Sequence, residues 1–224
     1  MQTKLWDNLE NLSDKIYSIF DGKFQKSDIN FDLDFPGWAD YFWESRSIRK
    51  CHLKIIDHRE QRNLWLMHIN IFPRETVDLP ILGFDIVSGP KKITGAFFDF
   101  SHPNKNHDLL TSMGKTTSDV SWKKPRELPE WANEIFSENM IAAGNIREEY
   151  EIDQLCDVSL NLINFYIDNI DSYDINHNTN QKHWLNTYCK NQKLNPHLHK
   201  SILAMGISED DKNYYVNKFL FEEI

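Results

Sequence analysis

The chain has 224 residues, with 34 acidic against 25 basic side chains and a formal charge of -9. That acidic balance argues against a nucleic-acid binder, which carries a basic excess or stripe, and no stretch approaches the roughly 18 apolar residues of a membrane span. Cys51, Cys156 and Cys189 are widely spaced, odd in number and form no CxxC, which fits a reducing cytosol and indicates neither a disulfide framework nor a structural zinc site.

The N-terminal MQTKLWDNLENL lacks the basic-then-apolar pattern of a secretion signal, so a cytoplasmic protein is expected. The length suits a single domain over residues 1–224. Leu5, Leu9, Leu12, Ile16 and Ile19 recur at helical spacing and predict an amphipathic helix over 3–20, ending near Gly22. The aromatic segment 32–43, interrupted by Pro36-Gly37, reads as a packed loop. From Ser47 to His58, Cys51, Leu53 and Ile55 alternate with Lys50, His52 and Lys54, the pattern of an edge strand.

Three further strands are predicted between Leu64 and Pro103. In the first, Trp65, Met67, Ile69 and Ile71 form an apolar face, opposite a mixed face of Leu64, Leu66, His68, Asn70 and Phe72. In the second, Leu82, Phe84 and Ile86 oppose Ile81, Gly83, Asp85 and Val87. The third places Thr94, Ala96, Phe98 and Phe100 on one side and Gly95, Phe97 and Asp99 on the other. The turn formers Ser88 to Lys92 join the last two as a hairpin. If the first two strands are neighbours, His68 and Asp85 project into one half-apolar cavity, and an imidazole beside a carboxylate is raw material for proton transfer.

Residues 104–120 read as a loop with a short helix, 123–131 as a proline-bracketed turn, and Met140 to Ala143 as a strand. From Glu151 the pattern is helical, with Ile152, Leu155, Leu162, Tyr166 and Ile170 on one stripe. A polar loop over 172–181 precedes helices at His183–Asn191, His197–Met205 and Glu209–Phe221. Asn195 before Pro196 is the pattern of an N-cap. His197, His199 and His183 do not make a metal set, because alternate histidines on a helix point apart and no Cys or Glu completes it. The simplest architecture is an α/β fold with a central antiparallel sheet and helices before and after it.

DLPILGFDIVSG at 78–89, FFDFSHP at 97–103, PRELPEW at 125–131, TYCKNQKLNP at 187–196 and the final YYVNKFLFEE resemble the ferredoxin-dependent bilin reductases, over roughly residues 45 to 224. MHINIFPR at 67–74, PRELPEW and NTYCKNQ bring the phycocyanobilin-forming branch nearest. The resemblance implies a three-layer α/β/α sandwich holding a linear tetrapyrrole, biliverdin, between sheet and C-terminal helices. It implies no metal or flavin held by the protein, with reduced [2Fe-2S] ferredoxin as the external electron donor and partner; the oligomeric state is open, with a monomer as the default. By position, Asp85 matches the family's proton-donating aspartate and His68 its companion histidine. Arg126 and Thr94 match positions that hold the substrate propionates, with Trp131 close by. Asn195 stands where many members have an aspartate.

One departure bears on the product. Phycocyanobilin-forming members carry a glutamate on the strand before the histidine, where this chain offers Lys54, Ile55 or Ile56. That glutamate is implicated in reducing the D-ring vinyl group. Its absence implies reduction at the C15 methine bridge and then at the A-ring diene, giving phycoerythrobilin via 15,16-dihydrobiliverdin, the outcome expected of viral relatives in a phage-infected cyanobacterial host. Reduction to phycocyanobilin, or a bilin or haem carrier without turnover, is the alternative. Lys91, Lys92, Lys123, Lys124 and Arg126 suit an acidic ferredoxin and equally a solvated lysine face.

Overall fold

The computed structural model describes residues 4–29, 35–173, 175 and 180–224. Among them, seven strands pair in simple chain order, each antiparallel to its neighbours. They are β1 (Gln25–Lys26), β2 (Trp38–Glu44), β3 (Ile48–His58), β4 (Leu64–Pro73), β5 (Ile81–Gly89), β6 (Lys92–Ser101) and β7 (Ile141–Ile146).

The alternation of β4 and β5 is resolved as expected. Trp65, Met67, Ile69, Ile71, Leu82, Phe84 and Ile86 are all buried in one apolar cluster beneath α1 (Lys4–Lys23), α3 (Asp108–Thr117) and α5 (Glu149–Asn169). Between β3 and β4 lies only the single turn α2 (Arg59–Arg62). The opposite face is covered over β2 to β4 by α6 (Gln181–Gln192), α7 (Pro196–Ala204) and α8 (Glu209–Tyr215), which runs on into a π-helical turn at Val216–Leu220. The short α4 (Glu130–Asn133) flanks the same side. The result is an α/β/α sandwich with helices on both faces of an antiparallel sheet. Among the described residues no helix is long and apolar enough to cross a membrane.

Three expectations are corrected. The segment 32–43 is not a loop throughout, for Trp38–Glu44 is β2, while 32–34 lie outside the described residues. Its alternation is hidden because both faces are covered: Trp43 packs in one apolar cluster and Phe42 in the other. Gly37 makes the entry turn at φ +78°, where a Cβ would stand 2.2 Å from the Asp57 carbonyl.

β3 is an interior strand, between β2 and β4, and not an edge. Lys50, His52 and Lys54 mimic a solvent face, yet all three are buried under the C-terminal helices. Lys50 Nζ donates to the Phe219 and Leu220 carbonyls at 2.6 and 3.2 Å, tying the π-helical turn to the sheet. Its burial pushes its pKa down to about 7.

Thr94 leaves the apolar face on which alternation put it. The β5–β6 register slips between Val87 and Ser88, so Ile93 takes the apolar side in its stead. The 172–181 loop falls partly outside the described residues, at 174 and 176–179.

Candidate active site

The strand register builds a row across the sheet: Asp40 opposite Lys54, Lys54 opposite His68, His68 opposite Asp85, and Asp85 opposite Phe97. Directly opposed residues share a face, so these side chains all stand on the side away from α1 and α5. The next row runs Phe42, His52, Asn70, Gly83 and Asp99.

His68 and Asp85 meet as the sequence predicts. Nδ1 of His68 lies 2.5 Å from Asp85 Oδ1, and Asn70 Nδ2 donates to His68 Nε2 at 2.7 Å. An amide nitrogen only donates and a carboxylate only accepts, so the neutral tautomer with its proton on Nδ1 satisfies both bonds. Asn70 thereby orients the ring, and Phe221 packs edge-on to it with centroids 6.2 Å apart. His68 is buried, whereas the Asp85 side chain is 41% exposed. The acid thus fronts an open groove while its partner is fixed behind it. Arg74, just past the end of β4, bonds Glu44 and the Ser45 carbonyl.

Beyond His68 the row becomes a buried polar cluster. Asp40 accepts from Trp38 Nε1 at 2.6 Å, from His52 Nε2 at 2.6 Å and from the Tyr215 hydroxyl at 2.7 Å. Burial acts to raise the Asp40 carboxyl, but His52, Lys54 and Tyr215 outweigh it and hold it below the usual carboxylate range. Burial pushes His52 down to about 4, so a neutral imidazole donates to an ionised carboxylate. At the far end of the second row, buried Asp99 accepts from the Ser137 amide at 2.9 Å and from its hydroxyl. Desolvation raises Asp99 to about 6.

The groove is open over Gly83, Asp85, Val87, Thr94 and Phe97, which are only half-buried. Its rim is the segment 124–126, hydrogen-bonded to β7 through Arg126 N to Ala142 O and Gly144 N to Lys124 O. The Arg126 guanidinium lies against Gly144, where a Cβ would sit 2.3 Å from Nε, and 6.0 Å from the Phe97 ring centre. It donates to the Thr94 carbonyl, while the Thr94 hydroxyl donates to Val87 O at 2.9 Å. Arg126 and Thr94 are therefore neighbours, as predicted, and the exposed guanidinium is able to take a carboxylate. Trp131, on α4, continues the rim through Phe136 (6.4 Å) to Tyr188 (6.2 Å), which itself approaches Phe221 at 6.5 Å.

Asn195 has a different position from the others. Its Oδ1 accepts from His197 N at 3.0 Å and caps α7. The asparagine that touches the His68–Asp85 pair is Asn70, from the same strand as His68. Its signal in the sequence is the His-x-Asn spacing on one strand face.

Among the described residues, Asp78, His102 and His107 have ligand atoms within 4.8 Å of one another. Both histidines are already committed: His102 to Asp78 Oδ1 and to Asn104 N, His107 to Asp78 O and to Leu109 N. The cluster is a loop clasp. Clefts of about 290 Å³ by Lys123, Lys124 and Arg147, and of about 280 Å³ between α1 and α5, do not include the pair.

Comparison with known proteins adds the family. The chain matches the family model described as ferredoxin-dependent bilin reductase over residues 38–222. It is 28% identical over 188 residues to phycocyanobilin:ferredoxin oxidoreductase of Prochlorococcus marinus strain MIT 9515, covering 81% of this chain and 75% of that one. It is 32% identical over 183 residues to the enzyme of the same name from strain MIT 9313, covering 80% and 68%. Among solved structures, PcyX superposes with a TM-score of 0.71 at 25% identity, covering 96% of this chain and 99% of that one. Tomato phytochromobilin synthase in complex with biliverdin superposes with a TM-score of 0.70 at 15% identity, covering 95% and 81%, a likeness of fold. With the family model spanning β2 to β7, the His68–Asp85 pair and the C-terminal helices, the chain belongs to the ferredoxin-dependent bilin reductases, enzymes that reduce a linear tetrapyrrole with electrons from an external ferredoxin.

Proposed function

We propose that this protein reduces biliverdin to phycoerythrobilin by way of 15,16-dihydrobiliverdin. The observation that carries the reading is the His68–Asp85 contact at 2.5 Å, with Asp85 turned to the groove and His68 buried behind it. Each of the two reductions takes two electrons, one at a time from ferredoxin, and two protons. A tetrapyrrole shielded from water needs a positioned donor for those protons. In this reading Asp85 enters each reduction as the carboxylic acid and gives its proton to the bilin; the carboxylate left behind is held by the His68 Nδ1–H bond and is reprotonated from solvent at the open groove. Asn70 keeps Nδ1 aimed at the carboxyl.

Arg126 takes a propionate on its exposed guanidinium edge, with Thr94 beside it and Trp131 on the rim. Asn195 contributes by shaping the entrance to α7, with its amide group available to a lactam or pyrrole. Support for the product comes from the register. The residue beside His68 on β3 is Lys54, one of the three positions where the resemblance looks for the glutamate of phycocyanobilin-forming members, and the carboxylate next to it in the row, Asp40, is engaged by three donors. The D-ring vinyl group is then left without a carboxylic acid to protonate it. Lys91, Lys92, Lys123, Lys124 and Arg126 offer local positive charge that suits an acidic ferredoxin.

The test is anaerobic incubation with biliverdin, ferredoxin, its reductase and NADPH, followed by absorbance and chromatography. A product co-eluting with phycoerythrobilin is expected. Phycocyanobilin would overturn the product assignment, and spectral binding without conversion would overturn the reductase reading of this site.

A further inference from the structure

On one face of β3 the chain buries two lysines, Lys50 and Lys54, on either side of His52, and they are treated differently. Lys50 spends its ammonium on two backbone carbonyls. Lys54, 4% exposed, has its Nζ over the Trp38 and Tyr215 rings, 5.3 and 5.5 Å from their centres. Among the described residues that Nζ makes no hydrogen bond or ion pair, and what acts on it is the charge of Asp40 and Asp85 at longer range. Asp40, in the same row, forms no ion pair with it and accepts instead from Trp38, His52 and Tyr215. A buried cation with unpartnered N–H groups costs stability unless something else meets it. Burial acts to lower its pKa, while the charges of Asp40 and Asp85 oppose that and favour the ammonium.

From this juxtaposition we infer that the Lys54 ammonium is a substrate contact: it donates to a lactam carbonyl oxygen of the bilin and sets its charge beside the ring that accepts the first electron. The inference rests on the reductase reading and extends it to a residue and a bond. Lys54 and Asp85 flank His68, two strand spacings or roughly 10 Å apart, within the length of a linear tetrapyrrole. One end of the molecule then meets a cation and its middle meets the acid. No proton leaves Lys54 in this role, because a neutral amine would strip Asp40 and Asp85 of their shared counter-charge. Its effect is to hold the substrate and favour the radical anion over the neutral bilin, which is differential stabilisation of a charged intermediate.

The test uses the full chain with Lys54→Met and Lys54→Arg, biliverdin titrated by absorbance, and thermal melting of the ligand-free protein. The methionine variant is expected to bind biliverdin at least about tenfold more weakly, the loss of one charged hydrogen bond, with a shifted spectrum for what does bind. Melting of the ligand-free variants shows that each is folded, so that a loss of affinity is read on a native protein; the methionine variant should melt below the wild type, because the ionised Asp40 has lost a counter-charge. The arginine variant, still a cationic donor, should bind more tightly than the methionine variant. Wild-type affinity and spectrum in Lys54→Met would overturn the inference, and so would an arginine variant that binds no better than the methionine one. A wild type that fails to bind biliverdin would instead overturn the reductase reading itself, so the two failures are told apart.

Discussion

Replacing Asp85 by Asn probes the centre of the site with little change in shape. The side chain keeps its volume, and the amide oxygen can still accept the His68 Nδ1 proton across what is now a 2.5 Å contact. What is lost is an acid able to give up a proton, together with the charged character of the bond. Charged hydrogen bonds contribute roughly 1.5–3 kcal/mol and neutral ones about 0.5–1.5. With 41% of the Asp85 side chain exposed, solvent screening brings the expected loss of fold stability below about 1 kcal/mol. A positioned general acid is worth roughly a hundredfold to ten-thousandfold in rate. Turnover of biliverdin should therefore fall by at least about a hundredfold, while its dissociation constant moves by less than about tenfold. The first electron from ferredoxin still arrives, so a bilin radical should persist and be visible by electron paramagnetic resonance under anaerobic conditions. Turnover within about twofold of wild type would refute the assignment of Asp85 as proton donor, since no mechanism using its proton tolerates that loss.

Asn70→Leu removes the donor that holds His68 Nε2 at 2.7 Å, freeing the imidazole to turn or change tautomer. The expected result is a fall in kcat of about tenfold or more with a smaller change in KM, and a pH–rate profile that differs from the wild type's; an unchanged profile would mean that Asn70 only packs. Arg126→Ala should raise KM for biliverdin by about tenfold, the worth of a charge-assisted contact to a propionate, with kcat less affected; equal affinity for wild type and variant would remove Arg126 from the substrate site. Asp99 provides the pH test. Its folded pKa of about 6 lies above the unfolded value of 3.8, so the folded state holds the extra proton between these values. The stability this confers is complete below the lower value and is lost as pH rises through the upper one. Denaturation of wild type and Asp99→Asn should thus show the wild type losing about 1.5 kcal/mol relative to the variant between about pH 5 and about pH 7.5. A constant difference would mean that Asp99 titrates normally.

Much of the architecture was readable because period-two alternation is a local property. β4 and β5 are one-sided in composition, so their faces, and hence the meeting of His68 with Asp85, follow from adjacent residues alone. β2 and β3 were misread for a physical reason. In β2 both faces are apolar and covered, which removes the alternation. In β3 Lys50, His52 and Lys54 have the composition of a solvent face, yet their partners lie far along the chain, on the C-terminal helices and β2. Thr94 was misplaced by a single bulge, which no residue in its own neighbourhood announces.

By itself, then, the sequence determined, through strand periodicity, the antiparallel sheet and the meeting of His68 with Asp85, and, through the motifs that carry the family likeness, the sandwich class and the choice of Arg126 and Thr94 as candidates. Only the tertiary structure decided that Lys54 is the residue standing beside His68, that Asn70 is the asparagine bonded to it, and that Asp40 is spoken for by Trp38, His52 and Tyr215. Those facts depend on inter-strand register and on helices closing over the sheet from more than a hundred residues away. Which polar groups find partners in a buried layer is settled by that closure, because each donor and acceptor withdrawn from water must be met by whatever the fold brings to it.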